Sequence, residues 1–344
     1  YLQHTISLDL ASDKSRYIDY CVDLDEMIWG GTIGYATNTA LVKNVDLPIS
    51  STGNFALNGL TVTDNKIGKK LLTSSSNTLK NVVVSGLNSI KIDTLTMSGL
   101  SALQRNDEKH KDAVRFHQLH IKDISFTDLN SLSISDIRIS EPGLYLVKND
   151  GTNWEYQQWM PQATEVNHKA GVTGNTSSDK NPTIFTVSTA NISIENIDGC
   201  YLQKDNGLYY CLVFDELIWD GKIQYDTSVS QSTDINLTAS GSLKLSSPNI
   251  QNMSIDRSLL NFSELTLTNI NLAGLNTLTL DSLELNKLSA LQRSKDDNDY
   301  TAAFDGLTID DIRYTSNSIA INSVHLEGLA SAISKNNNGC LLYT

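Results

Sequence analysis

The chain has 344 residues, of which 40% are hydrophobic, and a formal net charge of −13. That acidity argues against a nucleic-acid partner, which needs a basic stripe, and against electrostatic adhesion to anionic lipid surfaces. No stretch approaches the roughly 20 consecutive apolar residues of a membrane-spanning helix, and no signal-peptide pattern opens the chain.

The sequence begins mid-pattern, with TISLDL from Thr5 already reading as a strand. It closes after NNNGCLLYT, a turn leading into another strand. The expectation is an excerpt of a longer protein, with any targeting or anchoring segment outside this chain.

The first expected hairpin is SLDLASDKSRYIDYC, Ser7 to Cys21. Next comes the aromatic signature Trp29-Gly30-Gly31. Trp29 reads as a packing anchor, and the glycines allow a turn or bulge. Beyond it, short runs of Thr, Ser, Val, Ile and Leu are separated by Asn, Asp and Gly, which is strand chemistry almost throughout.

A more informative pattern then appears. With h for apolar and x for any other residue, it reads h-x-h-x-x-h-x-h. It is filled by Ile90, Ile92, Leu95 and Met97, then by Leu119, Ile121, Ile124 and Phe126, then by Leu132, Ile134, Ile137 and Ile139. In a regular strand, residues of equal parity share a face, so each run flips face in its middle. One extra residue, as in a β-bulge, returns all four to one face and bends the strand; a sharp corner between two short strands is the alternative. Bends at the same place in successive strands make a curved sheet. The apolar residues then line one side, read as the concave one. Lys91, Thr94, Lys122, Asp123, Ser133 and Asp136 take the other.

LSALQR occupies Leu100–Arg105. His110, His117 and His120 follow, and the three-residue spacing of the last two suits no single metal ion on a strand. In LYLVKNDGTNWEYQQWMP, Asn149-Asp150-Gly151 reads as a hairpin turn with Trp154 on the return strand. QATEVNHKAGVTGNTSSDKNP is polar and aperiodic, a linker by composition. GCYLQKDNGLYYC is another hairpin with an Asn-Gly signal. If its turn centres on Asp205-Asn206, Cys200 faces Cys211 and a cross-strand disulfide forms, which suits an oxidising compartment. If it centres on Asn206-Gly207, the two thiols do not face each other.

The rest of the chain repeats the first part. YCVDLDEMIWGGTIGY from Tyr20 returns as YCLVFDELIWDGKIQY from Tyr210. GLNSIKIDTLTMSGLSALQR from Gly86 returns as GLNTLTLDSLELNKLSALQR from Gly274, with LSALQR identical at Leu288–Arg293. LHIKDISF from Leu119 returns as LTIDDIRY from Leu307. The second copy's apolar sets are Leu278, Leu280, Leu283 and Leu285, then Leu307, Ile309, Ile312 and Tyr314, then Ile319, Ile321, Val324 and Leu326. Two copies of one unit are structural modules placed side by side. The expected organisation is a β-module over residues 1–160, a linker over 161–182 and a second β-module over 183–344. The fold class is all-β, two tandem repeats of curved, mostly antiparallel sheet, able to form one elongated U-shaped groove.

No chemistry-bearing constellation accompanies this framework. SKDDNDY from Ser294 gathers carboxylates but lacks the glycine and the terminal Glu of an EF-hand loop. No G-x-S-x-G, Gly-rich phosphate loop, zinc spacing or shared carboxylate pair occurs. Neither an enzyme, a metal site nor a cofactor is expected.

The runs SIKIDTLTMSGL (Ser89–Leu100) and LSISDIRISEPGLYLVKNDGTNWEYQQWMP (Leu132–Pro161), with the restart TVSTANISIENIDGCYLQKDNG (Thr186–Gly207), resemble the periplasmic repeats of AsmA-like bacterial envelope proteins, the AsmA/TamB/YhdP group. The resemblance implies a long U-shaped β-groove with an apolar lumen, in a protein anchored in the inner membrane and reaching toward the outer one. It implies phospholipid as the partner, bound or conducted between those membranes. It transfers no individual residue, because that function lies in a lined surface. The groove lining expected here is Ile90, Ile92, Leu95, Met97, Leu119, Ile121, Ile124, Phe126, Leu278, Leu280, Leu283, Leu285, Leu307, Ile309 and Ile312. The competing expectation is a structural or adhesive β-repeat protein of the envelope, whose same residues interlock in a closed core.

Overall fold

A computed structural model describes residues 6–7, 20–35, 49–86, 88–107, 110–128, 130–150, 153–159, 185–227, 236–294, 299–331, 334–335 and 341–342. The first copy supplies β1 (Ile6–Ser7), β2 (Tyr20–Asp23), β3 (Glu26–Tyr35), β4 (Ile49–Asp64), β5 (Lys69–Ser85), β6 (Ser89–Gln104), β7 (Asp112–Thr127), β8 (Ser131–Ser140), β9 (Gly143–Asp150) and β10 (Asn153–Trp154). A 3₁₀ turn, Glu155–Trp159, follows. The second copy supplies β11 (Thr186–Gln203), β12 (Leu208–Asp226), β13 (Leu237–Ser246), β14 (Asn249–Asn252), β15 (Arg257–Asn261), β16 (Glu264–Ala273), β17 (Thr277–Gln292), β18 (Tyr300–Thr315), β19 (Ser318–Ala320), β20 (Ser323–Glu327) and β21 (Ala330–Ser331). A separate small pair joins β22 (Ser334–Lys335) to β23 (Leu341–Leu342).

β1 to β21 form one large curved sheet. Several strands run end to end in one column: β2 into β3, β8 into β9, β14 into β13, β15 into β16, and β19 to β21. The columns then follow chain order, each antiparallel to the last within a copy. The two copies meet where β11 pairs parallel with both β8 and β9. A parallel neighbour needs a crossover connection, because the chain must return to the starting edge. The linker expected over 161–182 lies outside the described residues. The two repeats therefore share one continuous sheet.

The face flips read from the h-x-h-x-x-h-x-h runs are irregularities aligned across the columns. One row passes through Asn81, Asp123, Asn269 and Asp311, whose φ angles are 52°, 51°, 51° and 50°. Registers shift there between β4 and β5 and between β13 and β16. A left-handed backbone costs an ordinary L-residue about 1–2 kcal/mol, and Asn and Asp tolerate it best. Their side chains also tie the row together. Asn81 Nδ2 donates to Asp93 Oδ2 at 2.7 Å, and its counterpart Asn269 Nδ2 donates to Asp281 Oδ2 at 2.6 Å. Ser135 Oγ donates to Asp123 Oδ2 at 2.6 Å. A second row passes through Gly59, Gly99, Glu141, Asn196, Ser247, Lys287 and Gly328, all with positive φ.

LSALQR marks a third. Leu103 and Leu291 sit at φ 60° and 57°. The next residue repairs the backbone beside this bulge in both copies. Gln104 Oε1 accepts the Lys70 N–H at 3.0 Å, and Gln292 Oε1 accepts the Ser258 N–H at 2.9 Å. The motif is written twice because the same strand corner is built twice.

Candidate functional site

The bulge rows carry the apolar residues onto one face. Leu95 lies beside Ile121, Ile121 beside Ile137, Ile137 beside Ile192, and Ile192 beside Trp219. The same row continues through Leu243, Leu267, Leu283 and Ile309 to Val324. A parallel row joins Met97, Leu119, Ile139, Ile194, Leu217, Leu245, Leu265, Leu285, Leu307 and Leu326. On the other side of the first bulge row, Ile92 lies beside Ile124 and Ile90 beside Phe126, and Leu280 lies beside Ile312 and Leu278 beside Tyr314. Packing shows that the two sides share a face. Leu278, Leu283 and Ile312 all lie against a cluster of Trp219, Ile270 and Leu280.

Of the fifteen residues named from the sequence, eight belong to these two continuous rows and seven to the lateral pairs beside them. Leu280 alone is buried, at 6% exposure, and the other fourteen are half-buried. Half-burial is what strand neighbours on one face provide without a second layer above. Among the described residues no side chain falls below 2% exposure. At the sheet's two ends the rows become open, with Met27 at 62% and Val324 at 60% exposed. An apolar strip of this extent is unusual on a monomeric soluble protein.

The paired tryptophans part company here. Trp219 is an anchor at 7% exposure, whereas Trp29, expected as its equal, is 37% exposed. β12 has β11 on its outer side along nearly its whole length. β3 has β4 as its only described neighbour. What the two copies share is the glycine pair beneath. Gly31 lies opposite Gly53, and Gly221 opposite Gly241. A Cβ on Gly53 would stand 2.9 Å from the Trp29 ring, and one on Gly221 would stand 2.5 Å from the Gly241 Cα.

Cys200 and Cys211 face each other across β11 and β12 and form a disulfide, with Cα atoms 4.1 Å apart. The turn is Lys204–Gly207, so the register centred on Asp205-Asn206 is the one adopted. His120 Nδ1 meets Thr96 Oγ1 at 3.2 Å. Among the described residues no group of three or more His, Cys, Asp or Glu is placed to hold a metal. Most of SKDDNDY, residues 295–298, lies outside them.

Sequence reasoning missed a polar cluster near the disulfide. His110 stacks on Tyr145 with ring centroids 3.9 Å apart, and its Nε2 meets the Tyr209 hydroxyl at 3.1 Å. The Tyr145 hydroxyl donates to Asp198, and Arg115 pairs with the same carboxylate at 3.3 Å. Arg105, the last residue of LSALQR, is buried with its Nε 3.1 Å from Glu155. An apolar cavity of about 240 Å³ adjoins, lined by Leu103, Ala113, Val114, Leu144 and Tyr156 among others. His110 and Tyr209 are ninety-nine positions apart, and no local signal links them.

Burial, followed by the hydrogen bond to Asp198, pushes the Tyr145 hydroxyl up to about 12 from an ordinary 10.0. The folded state therefore favours the neutral phenol. Its contribution to stability is complete below the unfolded value and is lost as pH climbs from 10 toward 12. Urea denaturation of wild type and Tyr145→Phe at stepped pH should show a stability difference that is constant below about pH 9 and shrinks over that window. A difference flat to pH 12 would mean that folding does not raise the Tyr145 hydroxyl.

In comparisons with protein-family models and with curated proteins, none matches this chain.

Proposed function

We propose that this chain is a periplasmic β-groove segment that binds or conducts phospholipid between the inner and outer membranes. The observation that carries the reading is the continuous apolar face, half-buried along most of its length, open at its two ends and without a covering layer among the described residues. Each aliphatic side chain removed fully from water contributes roughly 1.5–3 kcal/mol, so an uncovered row of them is a strong site for acyl chains. The columns number about a dozen and lie about 4.8 Å apart, which gives the face a length of roughly 55–60 Å. The apolar rows run along that axis from strand to strand, and the side chains named in them carry no charge. The disulfide supports an oxidising compartment such as the periplasm.

The test is lipid extraction from protein purified out of the periplasm without detergent, with quantitation by mass spectrometry. The expected result is at least about one phospholipid per chain, on the 1:1 stoichiometry of a single groove. Lipid-free, monodisperse, stable protein would mean that the apolar face already has protein partners, and the reading would give way to a structural repeat.

A further inference from the structure

The apolar face contains two polar atoms left unpaired among the described residues. Trp219 Nε1 and Thr189 Oγ1 are both buried and have no hydrogen-bond partner. Trp219 is 93% buried as a residue, in the cluster with Ile270 and Leu280. Thr189 sits on β11 opposite Ile223, and Ile192 opposite Trp219, so the two polar residues flank one bulge on adjacent strands. That bulge lies at the parallel junction of the two copies, near the middle of the sheet.

An unsatisfied buried N–H is a cost of about 1–3 kcal/mol, and native structures rarely carry one without a use. A phenylalanine would present an aromatic ring there without that cost. The environment disfavours a charged partner, because Ile192, Ile223, Leu243 and Leu267 are among the apolar side chains packed against the cluster of Trp219, Ile270 and Leu280. Those neighbours are half-buried side chains, so an incoming chain displaces side chains and leaves backbone in place. The fitting ligand group is a neutral acceptor embedded in hydrocarbon. The ester carbonyl of a glycerolipid is such a group.

Resting on the lipid-groove reading, we infer that Trp219 and Thr189 form a central hydrogen-bonding station that receives an acyl-ester carbonyl. The indole N–H donates to the carbonyl oxygen, and the Thr189 hydroxyl donates to the same or the second ester. The station makes the groove selective for ester-linked chains and gives a passing lipid one preferred stopping point. It assigns the headgroup no role in recognition at this position.

The probes are a diacyl phosphatidylethanolamine and its dialkyl ether analogue, which keeps the headgroup and chains but lacks both carbonyls. Each is presented to delipidated chain, and bound lipid is quantified. Wild type should prefer the ester by about tenfold, the worth of one net hydrogen bond in a dry site. Trp219→Phe should abolish most of that preference, the ratio of ester to ether bound falling toward one. Thr189→Val, nearly isosteric, should reduce the preference in the same sense and serves where Trp219→Phe lowers the melting temperature too far. Equal binding of ester and ether by wild type overturns the station and leaves the groove standing. Binding of neither lipid by wild type overturns the groove, and the station with it. A preference retained in both variants places the ester elsewhere and also overturns the assignment.

Discussion

Leu283→Glu should fold cooperatively and lose its lipid. Leu283 is half-buried between Leu267 and Ile309 and lies against the Trp219 cluster. On an uncovered face the new carboxylate reaches solvent, so the expected loss is that of one partly buried leucine, about 1–3 kcal/mol. The lipid track is interrupted by a charge, which hydrocarbon does not tolerate. Lipid recovered per chain should fall at least about fivefold, on the roughly 1 kcal/mol or more that separates an apolar from a charged surface. In a closed core the same substitution would bury an unpaired charge, and the cooperative transition would disappear. Thermal melts and lipid extraction on the same preparation separate the two. A lost transition counts against the open face. Wild-type lipid load in a folded variant counts against the track.

The second large effect concerns curvature. Asn81→Val and Asn269→Val should each cost about 2–3 kcal/mol, from left-handed strain on a β-branched residue plus a lost side-chain hydrogen bond. Both asparagines hold φ near 50° while donating to Asp93 and Asp281. Asn81→Gly and Asn269→Gly remove the hydrogen bond but relieve the strain, and should cost less than about 1 kcal/mol. The two sites share no partner, so the double valine variant should approach the sum of the singles. Urea denaturation gives these differences directly. Equal costs for valine and glycine would mean that the corner does not depend on the left-handed backbone, and the account of the bend would fail.

Much of this was legible in the chain itself. The double occurrence of LSALQR exposed the repeat, and the parity flips exposed the corners, because side-chain period and backbone conformation are local properties. Leu95, Ile121, Leu283 and Ile309 were assigned to one face by that rule, and their registers agree. The disulfide was legible as far as turn length allowed: two registers were open, and the four-residue turn Lys204–Gly207 selects the one that pairs Cys200 with Cys211.

Other features belong to the assembled sheet. Trp29 and Trp219 carry nearly the same local sequence, yet one is half-open and the other buried, since exposure depends on whether another column lies beyond. His110, Tyr145, Asp198 and Tyr209 converge only when β9, β11 and β12 are side by side. Neither composition nor period shows that the copies join through a parallel pair, because that pairing is set by where the crossover returns the chain. The exposure of the apolar face among the described residues is of the same kind. Alternation says which residues point one way, but whether anything covers them is decided by contacts between residues far apart in sequence, which only the folded chain brings together.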